Sequence, residues 1–231
     1  MNFSFYKIVI FIILFSLSGT FALAQMEDLK LPQPQISQGK SLRENIQERF
    51  SNRSFDNKKQ LSLEQISSIL WATYGKKIED VDARTSASYV IPSAGAVYAL
   101  EILLVVGKDS VENLRQGIYY YETESHSLKQ LSDQDKRKEL TAACLGQKFI
   151  EDAPISIIIA AQFGSMAQKY GSRAERYINF EAGHAAQNLY LIVNDLGLTT
   201  VEVGAFMDAD VARVLEIEYP ILLLMPIGYK K

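Results

Sequence analysis

The chain has 231 residues, 48% of them hydrophobic and 22% charged, with a net charge of −3. This composition fits a globular protein of one domain and excludes a disordered or fibrous one. No basic run offers a nucleic-acid footprint, and the single cysteine, Cys144, excludes an internal disulfide.

The first 24 residues differ from the rest. Lys7 precedes an uncharged apolar stretch over residues 8–24 that closes on Ala22-Leu23-Ala24. That order of positive, apolar and small residues describes a secretory signal peptide cleaved before Gln25, with an uncleaved anchor as the rival. Losing Lys7 takes the net charge from −3 to −4. The mature chain is then expected outside the cytoplasm, periplasmic or secreted, with no membrane segment. Residues 25–40, with two prolines and few large apolar side chains, read as a linker. One domain is expected over 41–231.

KSLRENIQE reads as a helix and leads into RFSNRSF, where Arg49, Ser51 and Arg53 cluster. LSLEQISSILWATYG carries Leu63, Ile66, Ile69 and Leu70 at helical spacing, with Ser62 as N-cap. ALEILLVVG is a buried strand, and GIYYYET forms a hairpin with SLKQLS across the polar ESHS turn. Residues 133–145 return to helix, and Cys144 in ELTAACLG reads as a buried, inert thiol. PISIIIAAQF and PILLLMPIG supply two more strands. Between them runs the longest helix, about 173–196, with Ile178, Ala182, Ala185, Leu189, Ile192 and Leu196 as its stripe and Gly197 as its stop. The order is α+β.

Several chemistries lack their motifs: G-x-G-x-x-G, the P-loop and G-x-S-x-G are all missing. Glu181 and His184 make a single E-x-x-H, half of what a carboxylate-bridged di-iron bundle needs, and no metal site is expected. His126, in ESHS, reads as solvated. Pro92-Ser93-Ala94-Gly95 is either a tight loop before a strand or a small-residue loop that a flat ligand can approach. Gly204 and Ala205 raise the same pair of readings. Arg49 and Arg53 either pair with Glu44, Glu48 or Asp56, or grip a phosphate with Ser51 beside them.

Seven segments in register, RFSNRSF, LSLEQISSILWATYG, RTSASYVIPSAGAVYALEILLVV, LGQKFIEDAPISIIIAA, KYGSRAERY, EAGHAAQNLYLIVNDLGLTTVEVGAF and MPIGYKK, resemble the nitroreductase family of FMN-dependent oxidoreductases. The likeness is closer to its SagB/thiazoline-oxazoline dehydrogenase branch. The resemblance implies a mixed or antiparallel sheet flanked by helices, in a homodimer with flavin at the interface. It implies that Arg49, Ser51 and Arg53 hold the FMN phosphate. Pro92, Ser93, Ala94 and Gly95 would lie beside the ring, and Val203, Gly204 and Ala205 near its other side. Lys169 and Tyr170 match a pair thought to move protons in the azoline-oxidising branch; the plainer reading leaves Lys169 solvated and Tyr170 packed. It leaves open whether Lys230 and Lys231 help at the phosphate. The implied activity is ping-pong hydride transfer through flavin N5, with NADH or NADPH as a candidate donor and a small electron-poor or heterocyclic substrate. A non-catalytic, exported flavin carrier is the alternative.

Overall fold

The structure, a computed structural model, describes residues 28–35, 39–77 and 89–231. The expected signal peptide and the RTSAS stretch at 84–88 lie outside the described residues. In chain order the elements are β1 (Leu29–Lys30), α1 (Leu42–Glu48), β2 (Phe55–Asp56), α2 (Leu63–Tyr74), β3 (Leu100–Val106), β4 (Gly117–Glu122) and β5 (Ser127–Ser132). There follow α3 (Arg137–Ala143), α4 (Phe149–Asp152), β6 (Ile155–Ala161), α5 (Phe163–Tyr170), α6 (Ala174–Asp195), β7 (Thr199–Thr200), α7 (Asp208–Leu215) and β8 (Ile221–Lys230).

The strands form one sheet in the order β1-β5-β4-β3-β6-β8-β2, with β7 also paired to β8. Every ladder is antiparallel. β6 is buried along its whole length because helices cover both faces. Its alternate side chains feed two cores. Ile155, Ile157 and Ile159 join Ile66, Ile69 and Leu70 of α2 and Ile178, Ala182 and Leu189 of α6. Ile158 and Ala160 join Leu140, Cys144, Val211 and Leu215 around α3 and α7. Two-sided burial is why this strand reads as a continuous apolar run rather than an alternating one.

Local signals set the helix ends. Ser62 and Gln65 exchange side-chain bonds with each other's backbone at the start of α2, a capping box. α6, the 22-residue helix, is followed by Gly197 at φ 70°, the left-handed stop its sequence calls for. Along its length small residues let it lie close to α2 and to the start of β3.

Two stretches sit differently from their sequence readings. Within the stretch read as a linker, Leu29 pairs with Leu128 on β5, Leu31 is buried, and the Leu31 N–H donates to the His126 carbonyl. Two leucines suffice because this strap covers only the outer edge of a hairpin. His126 is half-buried rather than solvated. Its Nδ1 lies 2.7 Å from the Tyr121 hydroxyl and its Nε2 lies 2.8 Å from Ser67 Oγ, so the ring ties the hairpin turn to α2. Burial holds its pKa below the usual histidine range.

Candidate active site

The loop before β3 is built on left-handed backbone: Gly95 at φ 59°, Ala96 at 55° and Tyr98 at 53°. Only glycine adopts such angles without strain. Side chains from distant elements hold the loop in place. Ser93 Oγ donates to Glu181 on α6, and the Tyr98 N–H donates back to Ser93 Oγ at 3.0 Å. His184, one turn further along α6, lies with Nδ1 3.3 Å from the Pro92 carbonyl.

Lys169 and Tyr170, at the end of α5, reach the same loop. The Lys169 ammonium donates to the Gly95 carbonyl at 2.8 Å. A methyl group on Gly95 would collide with both the Tyr170 hydroxyl and the Lys169 ammonium. Both side chains therefore stand over one glycine, 74 and 75 positions away in sequence. Tyr170 also packs edge-on against Tyr177 of α6, with ring centroids 4.8 Å apart.

Glu181 is the residue the sequence did not single out correctly. It is 1% exposed, and it accepts the Tyr74 hydroxyl at 2.8 Å, the Ala99 N–H at 3.0 Å and the Ser93 hydroxyl. Burial pushes its carboxyl above the usual carboxylate range, and these hydrogen bonds oppose the push. It does not converge with His184, which is exposed on the Pro92 carbonyl. The signal was present: a carboxylate three residues from Ile178 and one from Ala182 falls inside the apolar stripe.

Arg49, Ser51 and Arg53 lie at the other end of α6. Ser51 Oγ is 3.0 Å from the Tyr190 hydroxyl, which accepts the Glu202 N–H at 2.8 Å. Tyr190 thus joins the arginine segment to the 203–205 loop, a link that sequence reasoning missed. The Asn52 N–H donates to the Thr200 carbonyl at 2.9 Å and fixes the segment along β7. The carboxylates near the arginines in sequence are engaged elsewhere. Glu44 caps α1, Glu48 pairs with Lys40, and Asp56 accepts the Lys58 N–H. Among the described residues no carboxylate pairs with Arg49 or Arg53. Instead their guanidinium groups sit 5.2 Å and 5.8 Å from the rings of Tyr190 and Phe149. Lys230 lies nearby, 4.9 Å from the Phe50 ring, and the Lys231 N–H donates to the Ser54 carbonyl.

Val203 is bound on both sides to Leu224 of β8, while Gly204 and Ala205 are exposed. A methyl group on Gly204 would meet no atom within 4 Å, so its backbone faces open space.

The two groups of residues meet α6 at different places. Glu181, under the 92–95 loop, and Tyr190, under the arginines, are nine positions apart on α6. At 100° and 1.5 Å per residue they are about 14 Å apart along the axis and on opposite sides of it. One half-site has the small-residue loop with Lys169 and Tyr170. The other has Arg49, Ser51, Arg53 and the loop of Val203, Gly204 and Ala205.

The sequence matches the model of the Nitroreductase family over residues 46–229. The chain belongs to the nitroreductase family. A Methanocaldococcus jannaschii protein provisionally named a nitroreductase is 44% identical over 171 residues, 74% of this chain and 82% of that one. Solved structures given the same provisional name, from Anabaena variabilis and Ralstonia eutropha, superpose with TM-scores of 0.75 and 0.73 at 25% identity. They cover 89% and 90% of this chain; the chain spans 42% of the Anabaena protein and 91% of the Ralstonia one. The NADPH:FMN oxidoreductase of Vibrio harveyi, solved with NAD+, shares the fold at TM-score 0.56 and 18% identity, over 81% of this chain and 68% of that one. This nitroreductase-family chain is accordingly an oxidoreductase on an antiparallel sheet flanked by helices.

Proposed function

We propose that this protein is an FMN-dependent oxidoreductase whose flavin site is completed by a second copy of the chain. The observation that carries the reading is the set of two arginines beside Ser51, with no carboxylate partner among the described residues, next to the exposed amide edge at Gly204. Two guanidinium forks and a hydroxyl suit a phosphate dianion. The open backbone at Gly204 suits a ring lying flat against it. The donor set therefore fits FMN, and the Vibrio harveyi relative's FMN chemistry supports the choice.

When bound, FMN supplies two-electron hydride exchange at flavin N5. Arg49 and Arg53 hold its phosphate, with Ser51 between them oriented by Tyr190. Val203, Gly204 and Ala205 would offer backbone to the ring, and Pro92, Ser93, Ala94 and Gly95 of a second copy would complete its site. Lys169 and Tyr170 stand at the edge of that loop, where a proton can be handed to or taken from a substrate. Their convergence on Gly95 favours the dehydrogenase-like branch. NADH or NADPH and an electron-poor or heterocyclic substrate then use the same open face in turn, a ping-pong exchange. Leu42, Ile46 and Phe50 leave an exposed apolar stripe beside the arginines, which suits a homodimer contact. Export with cleavage before Gln25 completes the reading.

FMN titration of the wild type and of an Arg49→Ala/Arg53→Ala double variant tests it. The double variant is expected to bind FMN roughly a hundredfold more weakly, the loss of two charge-assisted contacts. Equal affinities would remove the phosphate role and the reading with it.

A further inference from the structure

Three consecutive backbone amides at the entry to β3 each end on a different side chain. The Tyr98 N–H donates to Ser93 Oγ, the Ala99 N–H to Glu181 Oε1 and the Leu100 N–H to the Tyr74 hydroxyl, each at 3.0 Å. The hydroxyls of Ser93 and Tyr74 in turn donate to Glu181. One carboxylate on α6 thus gathers the loop, α2 and β3. Burial and the neighbouring Glu181 charge push the Tyr74 hydroxyl far above the ordinary tyrosine range, so it stays a donor.

We propose that Glu181 is a positioning residue: through Ser93, Tyr74 and the Ala99 amide it fixes the left-handed loop at Gly95, Ala96 and Tyr98, and so sets where Lys169 and Tyr170 stand. The inference rests on the proposed flavin reading for its purpose, but not for its mechanics. A carboxylate suits the place because both oxygens accept and neither donates. A glutamine there keeps the shape and loses one acceptor: its NH2 group faces the Ser93 hydroxyl, whose proton then has no acceptor on that side chain. Ala96 and Tyr98 hold backbone angles that non-glycine residues avoid. Such angles persist only where the surroundings over-determine them. Glu181 is the common point of that over-determination. Its hydrogen bonds go to Tyr74, Ser93 and Ala99 rather than to Lys169 or Tyr170, so it acts through the loop.

The test compares wild type, Glu181→Gln and Ser93→Ala by amide hydrogen exchange without flavin, by FMN dissociation constant and by visible absorption of bound FMN. Ser93→Ala cuts the tether to Glu181 and also removes the acceptor of the Tyr98 N–H, so in this variant the Ala99 amide is the deciding readout; it guards against a Glu181 variant that fails to fold. Exchange at Tyr98 and Ala99 is expected to rise about tenfold or more in both variants, as for loss of one charge-assisted hydrogen bond, with β6 and β8 unchanged. FMN is expected to bind about tenfold more weakly, with shifted absorption bands. Unchanged exchange at these amides, or exchange rising equally across the sheet, overturns the positioning role. A wild type that binds no FMN sinks the flavin reading, while the exchange result still decides whether Glu181 sets the loop.

Discussion

Gly95 is the residue on which the two candidate proton-handling side chains meet. It combines a positive φ with a site where a methyl group has no room. Gly95→Ala is therefore expected to lower stability by about 1 kcal/mol from the backbone angle alone, with further loss as Lys169 and Tyr170 are pushed off. Gly164, in the first turn of α5, has open space around its missing side chain. Gly164→Ala is expected to raise stability by about 0.5–1 kcal/mol, since alanine gives up less entropy in a helix. Thermal melts of the two variants check the contrast, and a stable Gly95→Ala would show that the pair does not stand over the glycine. Cys144 plays no part at this scale: it is fully buried, and burial pushes its thiol up to about 12.

At the scale of elements, the N-terminal strap and the hairpin turn are coupled through His126. Its Nε2 faces Ser67 Oγ and the Pro32 carbonyl, while Nδ1 faces the Tyr121 hydroxyl. The folded protein resists protonating this ring, whereas the unfolded chain takes up the proton near the ordinary value of about 6.5. Falling pH therefore favours the unfolded state below about 6.5, until the lower folded pKa is reached. Melts of wild type and His126→Gln from pH 7.5 to 5 should show the stability gap between them narrowing as pH falls. A constant gap would contradict the assignment. The same scale shows what the sequence makes legible. The cap at Ser62, the stop at Gly197 and the buried strands are written in neighbouring residues, so periodicity and cap chemistry reveal them. The contact of Lys169 with the Gly95 carbonyl joins residues 74 apart, and Tyr190 bridges Ser51 to Glu202 across α6. Such pairings depend on how helices are laid across a sheet; the family resemblance assigned Lys169 and Gly95 separate roles and did not point to their contact. Glu181 read as half a metal motif because spacing reports which residues share a helix face, not what lies opposite it. His126 read as solvated because its turn is polar, although the apolar strap beneath the turn buries it.

For the whole molecule, the feature that supports the proposed two-protomer site is that the two candidate groups meet α6 nine residues apart, on opposite sides of its axis. In the proposed reading, the arginines and the 203–205 loop would serve one edge of a flavin, and the 92–95 loop with Lys169 and Tyr170 the other. The two-fold dimer proposed above would close both halves at once and generate two equivalent sites. The measurement that tests this most directly is flavin content after mixing two inactive variants of residues 25–231. Arg49→Ala/Arg53→Ala damages one half-site; Ala94→Trp, at a partly exposed loop position, blocks the other. Neither variant alone should retain FMN. After unfolding, mixing and refolding, statistical pairing places one intact site in each mixed dimer, so FMN should return to roughly a quarter of the wild-type amount. No recovery, with dimers formed and folded, would mean that each chain builds its site alone and would contradict the two-protomer account.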